Sequence, residues 1–386
     1  MDAELTRDCV HCGFCLPTCP TYGLWHEEMD SPRGRIYLMQ SILDGTVELN
    51  GTVAQHFDRC LGCMACLTSC PSGVQYDRLI ELTRERVEEE VSRPLDQRLL
   101  RALAFATLPR PRLMRLVLPF AKLAPFRSFR ELAPPWREPV SPPAHTPAQG
   151  ERVARVGLLT GCVQSVIFGE VNRASARVLS AYGYEVVTPY GGCCGALALH
   201  AGRRQEGLDL ARQAAATFAA AGVDVIVTNA AGCGSHLKDA HLDVPVVDIS
   251  EALTAGRAPE LHALPLRVAF QDSCHLAHAQ RIRVEPRALM RSIPELELLE
   301  PAEQEICCGS AGIYNLVQPE AARTLGDRKA GHVLATEPDV YASANPGCLL
   351  QVTAALRRAG KPIRAVHPVE LLDAAIRGGA LSTARA

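Results

Sequence analysis

The sequence has no apolar run approaching the roughly 20 residues that a membrane-spanning helix needs, so a spanning helix is not expected. Its start, MDAELTRDC, lacks a basic stretch leading into an apolar core, which argues against a secretory leader and makes the cytoplasm the expected compartment. An excess of charge of one sign is also missing. Lys and Arg total 40 against 42 Asp and Glu, and a net charge of −2 gives no general attraction to nucleic acid. No G-x-G-x-x-G follows a strand-like run and no Walker A loop occurs, so neither flavin, nicotinamide nor nucleotide is expected on this chain. Aromatic residues are few, at 5%, but total apolar content of 47% and charged content of 21% remain ordinary for a globular protein. At 386 residues, two or three domains are expected.

Cysteine is what the chain has in abundance. Sixteen cysteines in a reducing compartment argue for metal or redox chemistry over a disulfide framework. They fall in two tight groups within residues 1–91 and as widely spaced residues within 151–386, with none in 92–150. CVHCGFCLPTCP supplies Cys9, Cys12, Cys15 and Cys19, and CLGCMACLTSCP supplies Cys60, Cys63, Cys66 and Cys70. Both are C-x2-C-x2-C-x3-C-P, the ferredoxin run for [4Fe–4S] clusters. Three thiolates in one tight loop reach three corners of a cube, and the fourth corner needs a ligand from farther away. In two-cluster ferredoxins the fourth cysteine of each run serves the other cluster. By that rule Cys9, Cys12, Cys15 and Cys70 hold one cluster, and Cys60, Cys63, Cys66 and Cys19 the other. Zinc sites usually use two C-x2-C pairs held well apart and fit this spacing poorly. In DSPRGRIYLMQ, Ser31 and Pro32 open a helix that carries Arg33 and Arg35 near the first cluster, where they stabilise its reduced form, serve as surface charge or contact a partner.

The C-terminal part repeats itself. RVARVGLLTGC, ending at Cys162, answers to LPLRVAFQDSC, ending at Cys274. The doublet Cys193–Cys194 answers to Cys307–Cys308, and Cys233 answers to Cys348. These offsets of 112, 114 and 115 residues imply duplicated domains. Short β-branched runs alternate with helical segments, so each copy reads as α/β with a parallel sheet. Cys162, Cys233, Cys274 and Cys348 then fall just after strands, at the carboxyl edge where open α/β sheets place their sites. The expected fold class is therefore a mixed α+β and α/β multidomain chain. A mainly helical two-cluster ferredoxin-like domain (1–91) leads into a basic helical segment with a Pro-rich linker (92–150). Two cysteine-rich α/β repeats follow (151–262 and 263–386).

Between residues 92 and 137, ten Arg or Lys face two acidic residues, and Leu95, Leu99, Leu103, Leu113, Leu116, Val117 and Phe120 have helical spacing. A basic amphipathic helix of this kind lies on an anionic membrane or a partner, or packs on its own protein with its charges solvated. Six prolines between 134 and 147 mark an extended linker.

CVHCGFCLPTCPTYGLWHEEMDSPRGRIYLM, followed by DRCLGCMACLTSCPSGVQYDRLIE, resembles the iron–sulfur subunits of bacterial glycolate oxidase, a family that also carries two repeats with the CCG doublet. Related subunits serve lactate utilisation, anaerobic glycerol-3-phosphate dehydrogenase and heterodisulfide reductase. The resemblance implies electron transfer from FAD-containing partner subunits, which oxidise glycolate to glyoxylate, toward the membrane quinone pool, with no catalytic residue on this chain. It also implies a location in the cytoplasm, peripheral to the inner face of the membrane. The alternatives are the equivalent subunit of a lactate or glycerol-3-phosphate complex, and a catalytic heterodisulfide reductase. The similar motif of heterodisulfide reductases ends in C-x-x-C, whereas here His236 and Gln351 replace the final cysteine. Cys162, Cys193, Cys194, Cys233 and Cys274, Cys307, Cys308, Cys348 remain. They read as a further iron–sulfur or zinc centre, as a thiol redox pair, or as buried reduced thiols. His200, His236, His275 and His278 near them read as ordinary hydrogen-bonding residues.

Overall fold

A computed structural model describes residues 1–123, 127–136, 138–379 and 381; Arg137, counted in the basic segment, lies outside them. Among the described residues, nine strands form two sheets: β1 (His145–Thr146), β2 (Ala154–Leu159), β3 (Tyr184–Val187), β4 (Val225–Thr228), β5 (Val246–Asp248), β6 (Arg267–Gln271), β7 (Glu297–Leu299), β8 (Val340–Ser343) and β9 (Arg364–Val366). The first sheet has the order β1-β3-β2-β4-β5 and the second β7-β6-β8-β9. Apart from β1 the order repeats, with β2 answering to β6, and all pairs other than β1–β3 are parallel. Helices cover the parallel strands on both faces, which is why runs such as VGLL and VAFQ are continuously buried rather than alternating.

One apolar core runs through both repeats, joining Val156, Leu158 and Val227 to Val268, Phe270 and Leu371. Arg177 seals its edge with two bonds to Asp373, Nε to Oδ1 at 2.7 Å and Nη2 to Oδ2 at 2.8 Å. The Pro-rich segment is extended but docked. β1 pairs antiparallel with β3, the Thr188 hydroxyl donates to the Pro143 carbonyl at 2.7 Å, and Ser180 donates to Pro147 at 2.6 Å.

The N-terminal part is helical among the described residues. Helices Pro32–Leu43, Gly51–Asp58 and Tyr76–Glu90 pack Ile36, Met39, Phe57, Leu79, Ile80 and Val87 into a separate core that also takes in Cys60 and Cys66. A third core binds this part to the second repeat, with Leu61, Cys63 and Ala65 packed on Cys307, Tyr314 and Ala322.

Helices Leu95–Thr107 and Pro111–Val117 have two apolar faces. Leu100, Ala104 and Phe105 turn inward against Ala201, Ile313 and Leu316. Leu95, Leu99, Leu103, Leu116, Val117 and Phe120 stay exposed, with Leu95 at 78% and Leu116 at 70%. The helices thus pack on their own protein with Arg98, Arg112, Arg115 and Lys122 solvated, but they do so through Leu100, Ala104 and Phe105 and leave the stripe uncovered.

Candidate metal centres and their surroundings

The two N-terminal cysteine loops close on two cavities. The first, about 420 Å³ of empty space, is lined by Cys9, Cys12, Cys15 and Cys70, with Cys66 at its inner wall. The second, about 310 Å³, is lined by Cys60, Cys63, Cys66 and Cys19. Each cavity thus has the fourth cysteine of the opposite run. The reason is local. Cys19 and Cys70 each sit after a short turn, with extended backbone, and so leave their own loops. At Cys19 a proline then starts helix Pro20–Trp25. Gly13 at φ +88° and Gly62 at φ +61° take the left-handed turns inside the loops that a Cβ would strain. Among the described residues no three such side chains converge tightly enough to hold a single ion. A cube has its corners apart, and a wall of four thiols around an empty volume is the donor set that suits it.

The two cavities differ in setting. Cys12 is exposed and Cys9, Cys15 and Cys70 are half-buried, while Cys19, Cys60, Cys63 and Cys66 are buried. Val10 and Phe14, at 69% and 67% exposure, stand at the mouth of the first. Arg33 lines that first cavity, donating to Glu28 at 2.7 Å and to the His11 carbonyl at 3.1 Å. Arg35, expected beside it, instead lines the second cavity. It is 1% exposed and donates through Nε to the His56 carbonyl at 2.6 Å and through Nη2 to Thr21 at 3.1 Å. Its counter-ion is the fully buried Asp30, at 3.5 Å, which also receives Arg59 at 2.7 Å and His56 at 3.0 Å.

Burial opposes ionisation of Cys60, but Arg35 and Arg84 beside it outweigh burial and hold its thiol below the usual range. The Gly62 N–H, at 3.4 Å, and the Tyr76 hydroxyl, at 3.6 Å, both donate to the Cys60 sulfur. Hydrogen bonds to a cluster sulfur favour the electron-rich state. Asp30, His56, Arg59 and Tyr76 were not singled out from sequence; a buried Asp–Arg pair has no local pattern.

In the repeats, all eight cysteines lie beyond the carboxyl ends of strands and at least half-buried. They form touching pairs: Cys162 with Cys193 at 3.5 Å, Cys194 with Cys233 at 3.0 Å, Cys274 with Cys307 at 3.9 Å, and Cys308 beside Cys348. Hydrogen bonds from Cys162 and Cys194 pull the Cys193 thiol down, while the same contacts push those two donors up.

The glycine after each doublet explains the third letter of CCG. Gly195, at φ +90°, would place a Cβ 2.1 Å from the Gly207 carbonyl, and Gly309, at φ +89°, one 2.7 Å from that of Ala322. The residues standing where heterodisulfide reductases have a fifth cysteine reach the same two carbonyls. His236 Nε2 lies 3.1 Å from Gly207 O, and Gln351 Nε2 donates to Ala322 O at 2.7 Å. Those positions hold the doublet's turn against the following helix and are committed to it.

The four histidines divide. His236 is bonded as above, and His278 bonds Thr68 at 2.8 Å and the Glu305 carbonyl at 3.1 Å, tying the second ferredoxin-like loop to the second repeat. His275 touches the Cys274 sulfur at 3.7 Å but its Nε2 has no partner, and both nitrogens of His200 are buried without one. The two rings are 4.8 Å apart.

Residues 6–74 match the family described as 4Fe-4S dicluster domain, and residues 156–238 and 268–353 each match the cysteine-rich domain family CCG. The chain is 35% identical to the probable glycolate oxidase iron-sulfur subunit of Bacillus subtilis, over 96% of this chain and 94% of that protein. It is 34% identical to the glycolate oxidase iron-sulfur subunit of Escherichia coli, over 97% and 95%. A crystal structure of a hypothetical protein from Helicobacter pylori shares the fold at a TM-score of 0.54 and 10% identity, covering 90% of this chain and 68% of that one. With an iron–sulfur dicluster domain, two cysteine-rich repeats and full-length similarity to those subunits, the chain belongs to the family of glycolate oxidase iron–sulfur subunits.

Proposed function

We propose that the chain is the electron-transfer subunit of a glycolate-oxidising complex, carrying electrons from FAD-containing partner subunits toward quinone. The observation that supports this most is the pair of adjoining four-cysteine cavities, one opening at the surface and one buried against the repeats. In this reading Cys9, Cys12, Cys15 and Cys70 hold one [4Fe–4S] cluster and Cys60, Cys63, Cys66 and Cys19 the other. Such clusters supply one-electron carriers; the chain's own residues set their surroundings. Arg35, Arg84 and Tyr76 favour negative charge at the second site, and Val10 and Phe14 present the first to a partner. The units run over 1–91, 92–150, 151–262 and 263–386. The repeat quartets Cys162, Cys193, Cys194, Cys233 and Cys274, Cys307, Cys308, Cys348 are candidates for a further centre, with Cys307 beside Cys63 placing the second quartet next to the relay. Iron above about eight per chain that is lost in Cys307→Ala would establish it, given four irons for each N-terminal site.

The test of function is anaerobic EPR. Glycolate is expected to reduce the clusters when the flavoprotein subunits are present and to leave the isolated, flavin-free chain oxidised. Reduction of the isolated chain by glycolate would overturn the reading.

The same complex lies on an anionic lipid surface through Leu95, Leu99, Leu116, Val117 and Phe120, flanked by the exposed Arg98, Arg112, Arg115 and Lys122. No helix among the described residues is long and apolar enough to cross a membrane. Burying a large apolar side chain is worth about 1.5–3 kcal/mol. Leu116→Asp with Phe120→Asp is therefore expected to weaken sedimentation with phosphatidylglycerol vesicles by at least roughly tenfold. Unchanged sedimentation would assign that face to a protein partner instead.

A further inference from the structure

A cavity with about 160 Å³ of free space lies where the proline segment crosses the seam between the two repeats. A cavity of about 150 Å³ is enough to admit a benzene ring. The cleft that His200 and Tyr314 line beside the second cysteine loop has about 50 Å³ and admits none. Pro135, Pro139 and Val140 wall the larger cavity from the proline segment, and helices Cys162–Ile167 and Pro346–Arg358 contribute Val166, Leu349 and Leu350 from the repeats. Gly169 makes this closure possible. A Cβ there would stand 2.1 Å from the Val140 carbonyl, so glycine is what lets the proline segment settle over the repeats.

The cavity joins two features of the molecule. Leu118 lines it, while Val117 and Phe120 beside Leu118 stand exposed on the apolar stripe, so the cavity borders the face that meets lipid. A cysteine of each repeat is also close. Val166 lies one turn of helix, about 6 Å of rise, after Cys162, and Leu349 follows Cys348 directly. Cys348 touches Cys308, whose chain neighbour Cys307 packs with Cys63 of the buried four-cysteine site. A line of cysteines thus runs from that site to the cavity wall.

The polar groups favour a neutral ligand. Among the described residues, Glu138, Glu170 and Glu370 line the cavity with one cation, Arg357. That balance turns away a carboxylate such as glycolate. Burial, against the His367 N–H and Arg364, pushes the Glu370 carboxyl up to about 7, so near neutrality much of it carries a proton to donate. Donors beside an apolar volume suit a ring that bears carbonyl oxygens, whereas a plain acyl chain has no use for them.

We propose that this cavity receives the ring of a membrane quinone, seated among Val140, Val166 and Leu349 with its carbonyl oxygens facing Arg357 and Glu370. The proposal rests on the reading of the chain as an electron carrier toward quinone, and names where that acceptor meets the chain.

The test is photolabelling of the anaerobically purified complex with a short-chain azido-ubiquinone, with the labelled peptides mapped, alongside equilibrium binding of the parent ubiquinone. Label is expected within residues 132–140, 166–171 or 349–357, at one quinone per copy of this chain. Label confined to other peptides, or none on this chain, overturns the proposal. Val140→Trp, which fills the cavity from the proline segment, is expected to abolish labelling there. Arg357→Ala is expected to weaken equilibrium binding about tenfold or more, as loss of a hydrogen bond from a charged donor implies. Wild-type affinity in either variant, at wild-type iron content, overturns the site. Should a variant lose iron or fail to fold, the labelling map of the wild-type complex decides alone. Displacement of the label by phosphatidylglycerol but not by excess ubiquinone would assign the cavity to a lipid chain and overturn the proposal. Cluster reduction by glycolate is read separately. Label elsewhere with that reduction intact removes the site and leaves the electron-transfer reading. Label in the cavity without it leaves the site and removes that reading.

Discussion

Cys19→Ala is expected to remove the cluster belonging to the other loop. The chain leaves the first cysteine run at Cys19, and the side chain lines the cavity formed by Cys60, Cys63 and Cys66. Losing it should therefore strip about four irons, the content of one cubane, from the buried site while Cys9, Cys12 and Cys15 keep theirs. Cys70→Ala should do the converse, because Cys70 lines the surface cavity. EPR distinguishes the two cases. The signal that survives in Cys19→Ala should be the one closer to solvent, broadened by an added soluble paramagnet, since Cys12 is exposed and Cys63 is buried. If Cys19→Ala instead removes the solvent-accessible signal, each run ligates its own cluster and the crossed arrangement is wrong.

The second large effect is expected at Asp30, which no cluster touches directly. Asp30 is fully buried and balances Arg35, itself 1% exposed, while Arg59 and His56 approach from partly exposed positions. In Asp30→Asn the shape is nearly kept, and Arg59 can turn to water. Arg35 cannot, being held between the His56 carbonyl and Thr21. Breaking a buried pair by neutralising one partner costs about 3–5 kcal/mol, and urea unfolding of the iron-loaded variant should fall by an amount of that order. A second readout comes from the cluster environment. Asp30 presents its carbonyl 3.7 Å from the Cys19 sulfur, and removing its side-chain charge leaves Arg35 without its counter-ion, acting with Arg84 on the site. The potential of the buried cluster should therefore rise. A stability loss with no change in potential would mean that Asp30 serves packing only.

How much of this was legible in the residues differs from element to element. The crossing of Cys19 and Cys70 follows from spacing, because a tight loop offers three corners and a proline turns the chain away. The duplication was legible because the offsets between Cys162 and Cys274, and between Cys233 and Cys348, reflect one strand order used twice. Arg35 was misplaced for a geometric reason. Residues two apart on a helix point about 200° apart, so Arg33 and Arg35 cannot share a cavity. The basic segment misled because helix Leu95–Thr107 is apolar on two sides, and only the partners Ala201 and Ile313 decide that Leu100 and Phe105 go inward. Tyr314 and His200 meet from different repeats across the ferredoxin-like loop, a juxtaposition with no local signature.

Iron and acid-labile sulfide, counted on anaerobically purified wild-type chain alongside its Cys12→Ala/Cys63→Ala double variant, test the central claim most directly. The difference between them should be about eight irons, four from each N-terminal site, whatever the repeats hold in addition. A wild-type chain carrying zinc in place of iron, or a difference of about four or less, would contradict the two-cluster relay.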